Sequence, residues 1–198
     1  MNDDFFGQDV DQAMLLSRYI ECWGVPELRV QLSKSPSLHA IEIYYFPAKH
    51  PDDVNRFATA GLSQVSSLNG PNIATEWMMV LPSGLGGVSV DRVLQYVCDL
   101  LANHIEKSRN HDVPRVMLGS TYAPEQWTCN AVLFDEPRGE PEALMELVVG
   151  EKKITLQWVI PITDAEALEI QQKGIEVFDA AEAKSEYSLI DVNRPSYI

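Results

Sequence analysis

Apolar residues recur along this chain in two periods, and the places where one period gives way to the other mark out its helices and strands. From Val90 onward, Val93, Leu94, Val97, Leu101 and Ile105 keep the three-and-four spacing of one helical face, while Asp91, Gln95, Asp99 and Glu106 fall on the other. This predicts a helix over 90–105. A second helix is expected over Asp9 to Trp23, capped by Asp9, with Val10, Met14, Leu15 and Ile20 as its apolar positions and Gly24 and Pro26 to end it. A last helix begins at Thr163, whose hydroxyl can cap the first turn while Glu166, three residues on, reaches back. Leu168, Ile175 and Phe178 are its expected inward residues, Glu169 and Lys173 form a surface pair, and Gly174 weakens it.

Elsewhere the pattern is that of strands. Arg29–Leu32 and Leu38–Phe46 flank Ser33-Lys34-Ser35-Pro36 as a hairpin, and Arg56–Val65 and Ile73–Leu81 supply two more strands before Pro82 and the glycines at 84, 86 and 87. Val113–Gly119 and Thr128–Phe134 follow. Leu144–Val149 and Ile154–Ile160 flank Gly150-Glu151-Lys152-Lys153 as a second hairpin, with Ile154, Leu156, Trp158 and Ile160 on one face. Strand runs and hairpins outnumber strand–helix alternations, so the expected class is α+β: a mostly antiparallel sheet with helices packed on one side. With no repeat and no linker-like tract, 1–198 reads as a single domain.

Charge narrows the partners. Fifteen Lys and Arg stand against 29 Asp and Glu, a formal charge of −14, which repels phosphate backbones and anionic lipid. Nucleic acid and membrane are therefore excluded as expected partners. No apolar run approaches the roughly 18 residues of a membrane span, and the first residues are acidic where a secretory signal is basic. Three cysteines without a Cys-x-x-Cys pair read as reduced thiols of a cytoplasmic protein. The densest charge bias on any predicted element runs from Asp164 to Glu186, with seven acids and two lysines. Glu166, Glu169 and Glu176 are accordingly the candidate docking residues for a basic partner.

Candidate chemistry is sparse. Gly61-Leu62-Ser63-Gln64-Val65 comes one residue short of the Gly-x-Ser-x-Gly elbow, but Val65 fills the second glycine's place and a loop follows, so Ser63 is expected to make a local hydrogen bond. Ser83-Gly84-Leu85-Gly86-Gly87 matches neither phosphate-binding pattern and reads as a connection. The histidines lack ligand spacing; His104, at the edge of a helix's apolar face, reads as a packed imidazole. Asp52-Asp53 and Asp135-Glu136 read as solvated loop acids. No catalytic, cofactor or metal site is expected.

Taken in order, "FATAGLS" at 57–63, "TEWMMVLP" at 75–82, the helix from 90, "VLFDEP" at 132–137, "WVIPITDAEALEIQQKGIEVF" at 158–178 and "DVNRPS" at 191–196 resemble the suppressor of fused domain in its bacterial form. The resemblance implies an α/β sandwich-like domain that binds proteins and is not an enzyme. It further implies either an immunity protein that occludes a basic toxin domain or, alternatively, a regulatory module that captures an extended peptide by strand addition. The family's peptide-contacting tyrosine and acidic contact fall at His104 and Arg115 of this chain, which makes both positions candidate partner contacts.

Overall fold

The computed structural model describes residues 3–33, 41–65, 75–107, 116–145, 147–149 and 152–198. Along the chain the elements are α1 (Asp3–Trp23), β1 (Leu28–Gln31), β2 (Glu42–Phe46), β3 (Val54–Ala60), β4 (Thr75–Pro82), α2 (Val90–Lys107), β5 (Val116–Met117), β6 (Ala131–Asp135), β7 (Leu147–Val149), β8 (Lys152–Ile162), α3 (Asp164–Lys173) and α4 (Ile175–Glu182). Single 3₁₀ turns sit at Leu62–Gln64, Leu85–Gly87 and Glu142–Leu144. The strands form one eight-stranded sheet in the order β1-β2-β3-β4-β8-β6-β5, with β7 pairing β8 off that path. All pairings are antiparallel except β4 with β8, where Thr75 to Met78 run alongside Thr155 to Trp158.

Helices cover both faces of this sheet, not one. On one side α2 lays Val93, Leu94, Val97 and Leu101 against Trp77, Met79, Leu81 and Phe134. On the other, Leu15, Tyr19 and Trp23 of α1, Ala167 and Ile170 of α3 and Phe178 of α4 pack against Met78, Val80, Leu133, Trp158 and Ile160. Burial from both sides explains why Trp77–Leu81 of β4 and Ala131–Phe134 of β6 read as unbroken apolar runs, since a strand with one wet face alternates. In β8, by contrast, the first residues alternate and only the last five are continuously buried.

Several elements differ from the pattern-based expectation. Helix α1 begins six residues before Asp9, and its buried face is Leu15, Tyr19 and Trp23; Val10, Met14 and Ile20 are exposed. Aromatic packing decided that face, because Tyr19 stacks on Trp23 and both contact Phe46. The strand expected over Arg56–Val65 ends at Ala60, where Gly61 takes a φ of +99° and starts the 3₁₀ turn. Gly174 breaks the last helix outright: at φ +92° and ψ 170° it separates α3 from α4, turning Phe178 inward but leaving Leu168 exposed. The α3 start carries the expected capping box of Thr163 and Glu166. The strand at 113–119 is described only as Val116–Met117, and the turn at 34–36 lies outside the described residues.

The reassigned face of α1 gives a direct expectation. Leu15→Ala should lower the unfolding free energy by about 2–5 kcal/mol, the cost of emptying a fully buried leucine site, whereas Met14→Ala should change it by less than about 0.5 kcal/mol. Urea denaturation of the two variants beside the parent protein measures the difference.

Candidate functional site

Two buried carboxylates organise the irregular parts of this fold. The first is Glu76 on β4. Its Oε1 accepts from the backbone amides of Gly61 (3.0 Å) and Ser63 (3.0 Å) and from Ser63 Oγ (2.7 Å), while Oε2 accepts from Leu62 N (3.2 Å) and Thr59 Oγ1 (2.6 Å). The turn after β3 is thus wrapped around one acid. Tyr19 of α1 closes the knot by donating to the Thr59 carbonyl. Burial pushes the Glu76 pKa up, and the hydroxyl and amide donors oppose that shift. Ser63, also buried, serves this carboxylate with both its amide and its hydroxyl, so the near-match to a nucleophile elbow is a structural turn.

The second carboxylate is Glu166, in the first turn of α3. Arg194 grips it bidentately, Nη1 to Oε1 at 2.6 Å and Nη2 to Oε2 at 3.0 Å, with both side chains fully out of solvent. Glu166 also accepts from the amides of Thr163 and Tyr197, each at 2.8 Å. Burial alone would lower the Arg194 pKa; its hydrogen bonds to Glu166 together with the charge interactions of Cys129, Glu166 and Tyr197 raise it instead. Tyr197 lies over the guanidinium, its ring centroid 3.8 Å from Cζ. The C-terminal segment is held along its length: Val192 O accepts from Cys129 N, and Asn193 Nδ2 donates to the carbonyl of Gly86. The glycine-rich stretch at 84–87 is therefore a tight turn beneath this segment.

These facts redistribute the acidic positions of 164–186. Glu166 is a fully buried ion-pair partner and cannot meet another protein, which corrects its expected surface role. Asp164 is spent on Gly119 N and Asn130 Nδ2, Glu169 on Lys173, and Asp179 and Glu182 on Arg138. Arg138 also binds Asp135, which is buried and not the solvated loop acid expected from sequence. Glu176 remains exposed. His104 is buried between Trp77 and Phe134, with centroids at 5.1 and 6.4 Å, so it faces the core and not a partner. Arg115 lies outside the described residues. Of the described candidate contacts, Glu166 and His104 are buried, Glu169 is half-buried and Glu176 is exposed.

What the sequence pattern missed is a groove beside Glu176. Val177, Ala180 and Ala181 of α4 floor an open cavity of about 720 Å³, walled by Tyr187 and by Pro195 and Tyr197 of the C-terminal segment. The spacing of the small residues along α4 was its only trace in the sequence. Among the described residues, no group of three or more His, Cys, Asp or Glu is placed to hold a metal ion.

The sequence profile of the family described as Suppressor of fused protein (SUFU) matches residues 37–195. No curated protein matches the chain. Among solved structures, a putative SUFU homolog from Neisseria gonorrhoeae FA 1090 superposes with a TM-score of 0.74 at 15% identity, over 96% of this chain and 97% of its own. The Sufu–Fu complex gives a TM-score of 0.59 at 11% identity, over 96% of this chain and 92% of that one. Drosophila Suppressor of Fused gives 0.59 at 12% identity, with 96% of this chain covering 51% of that protein.

Two outcomes are expected from the buried groups. Glu166→Lys should destabilise the fold by about 3–5 kcal/mol or more, because it leaves Arg194 buried beside a like charge, while Glu176→Lys, which only opposes the dipole of α4, should cost no more than about 2 kcal/mol; guanidinium denaturation separates them. Burial lowers the His104 pKa below the ordinary 6.5, so the unfolded chain takes up a proton there before the folded one does. Stability contributed by neutral His104 should be complete above pH 6.5 and be lost as pH falls from that value through the lowered folded pKa. His104→Phe should flatten that part of the stability–pH curve relative to the parent, as read from melting temperatures at stepped pH.

Proposed function

The chain belongs to the suppressor of fused family, a protein-interaction and regulatory family, and we propose that it acts by stoichiometric binding of another protein, as an immunity protein that occludes a basic toxin domain. The observation that carries the reading is that the family fold spans 96% of the chain and that a relative of this fold is found in a complex with a protein. The net charge of −14 supports a basic partner, because it accelerates encounter with positive surfaces and discourages acidic ones. The charge acts through the whole surface and not through α3, whose acids are mostly spent internally.

A second reading is favoured by one feature of the sheet. Strand β1 pairs only with β2 among the described residues, and its outer edge is exposed. Because Leu32 N bonds to Ile41 O, alternation along the ladder turns the Arg29 amide outward, toward any added strand. An extended peptide could pair there by its main chain.

Purification of the tagged protein from its host, followed by measurement of association rate against salt, tests both. Occlusion of a toxin predicts one basic protein bound one-to-one, toxic when produced alone, associating more slowly as salt rises. Arg29→Pro removes the outward amide together with the Arg29–Glu42 ion pair, so beside Arg29→Ala, which removes the pair alone, it should leave stability within about 1 kcal/mol and leave toxin occlusion intact, yet abolish strand addition. Loss of binding in Arg29→Pro would transfer the function to the sheet edge, and the absence of any one-to-one protein complex would remove the first reading.

A further inference from the structure

The groove on α4 has features that the fold itself does not require. Its floor of Val177, Ala180 and Ala181 is apolar and open, and the exposed Tyr187 forms part of its wall. Its two ends carry opposite charge: Glu176 in the first turn of α4 and Lys184 just beyond the last. At ~1.5 Å of rise per residue the eight steps from one to the other span ~12 Å, longer than the ~8 Å screening length of physiological salt, so the two charges do not neutralise each other. Neither has an ion-pair partner among the described residues, whereas Asp179 and Glu182 on the same helix are bound by Arg138. The helix macrodipole favours these signs at these ends, but it accounts for neither the apolar floor nor the exposed tyrosine in the wall.

From this arrangement we infer that the groove is a docking site for an extended segment of a partner protein with the pattern basic–x–apolar–x–acidic. An extended chain rises ~3.3 Å per residue, so four steps cover ~13 Å, and side chains at alternate positions share one face. The basic residue meets Glu176, the apolar residue fills the floor over Ala180 and Ala181, and the acidic residue meets Lys184. The inference rests on the protein-binding reading above and names a site and a partner chemistry for it. Small residues on the floor admit a bulky side chain, and Tyr187 supplies the aromatic contact that is enriched at interface centres.

The test uses the blocked peptide Arg-Ser-Leu-Ser-Glu as probe, titrated into the isotope-labelled full chain and followed by amide chemical shifts. Shifts should concentrate at Val177, Ala180, Ala181, Tyr187 and Tyr197. Ala180 is exposed, so Ala180→Trp should fold normally, fill the groove and weaken the peptide at least about tenfold. Glu176→Lys should weaken it about two- to fivefold, the range of a surface ion pair, and the peptide Glu-Ser-Leu-Ser-Glu should recover that loss. Shifts elsewhere or nowhere, or an affinity unchanged in Ala180→Trp, overturn the inference. Sedimentation that shows the parent to be a dimer and Ala180→Trp a monomer overturns it too, because the occupant is then a second copy. Capture of a natural partner by Ala180→Trp at unchanged stoichiometry would overturn the groove as the site while leaving the protein-binding reading in place.

Discussion

The ion pair of Glu166 with Arg194 is the constraint on which the outer half of this structure depends. Two charges withdrawn fully from water cost several kcal/mol each unless geometry and further hydrogen bonds compensate, so the interior tolerates neither without the other. Bidentate contact, two backbone amides and the positive end of α3 meet that requirement at Glu166. Fixing Arg194 in turn fixes the chain around it. Val192 reaches Cys129 and Asn193 reaches the turn at Gly86, both beside α2, while Tyr197 forms one wall of the groove on α4. One buried pair thus links the C-terminal segment, both faces of the sheet and the candidate docking surface.

Glu76 does the equivalent work at the other end. A carboxylate that accepts five hydrogen bonds is an interior template for a turn, and the turn it templates contains the serine that most resembled a nucleophile. The same logic covers His104, which is buried against Trp77 and Phe134 and whose pKa burial lowers. In these three cases a residue type associated with catalysis is used to hold the core.

That surface must be judged on this chain's own side chains. At 11–15% identity the superposed relatives establish a shared fold, not shared contacts. Among the described residues, two exposed places bear on docking: the outer edge of β1, and Glu176, Lys184 and Tyr187 around an apolar groove. They correspond to the two docking modes proposed above, main-chain pairing at the sheet edge and side-chain recognition in the groove.

The sequence by itself determined the elements whose signal is local. The period of α2 needed only its own residues, the capping box at Thr163 needed four residues, and the β7–β8 hairpin was expected as a pairing, though its arms run Leu147–Val149 and Lys152–Ile162 rather than Leu144–Val149 and Ile154–Ile160. The ordered motifs from Phe57 to Ser196 were enough to indicate the family. Tertiary structure alone decided matters that rest on partners distant in the chain. Whether helices cover one face of the sheet or two depends on where α1 and α3 return. The inward face of α1 was set by Phe46, a strand residue that no helical period includes. Above all, an acid in a charged run reads as solvated until its partner is known. Glu166 and Arg194 are 28 positions apart, and burial exists only once the chain has brought them together.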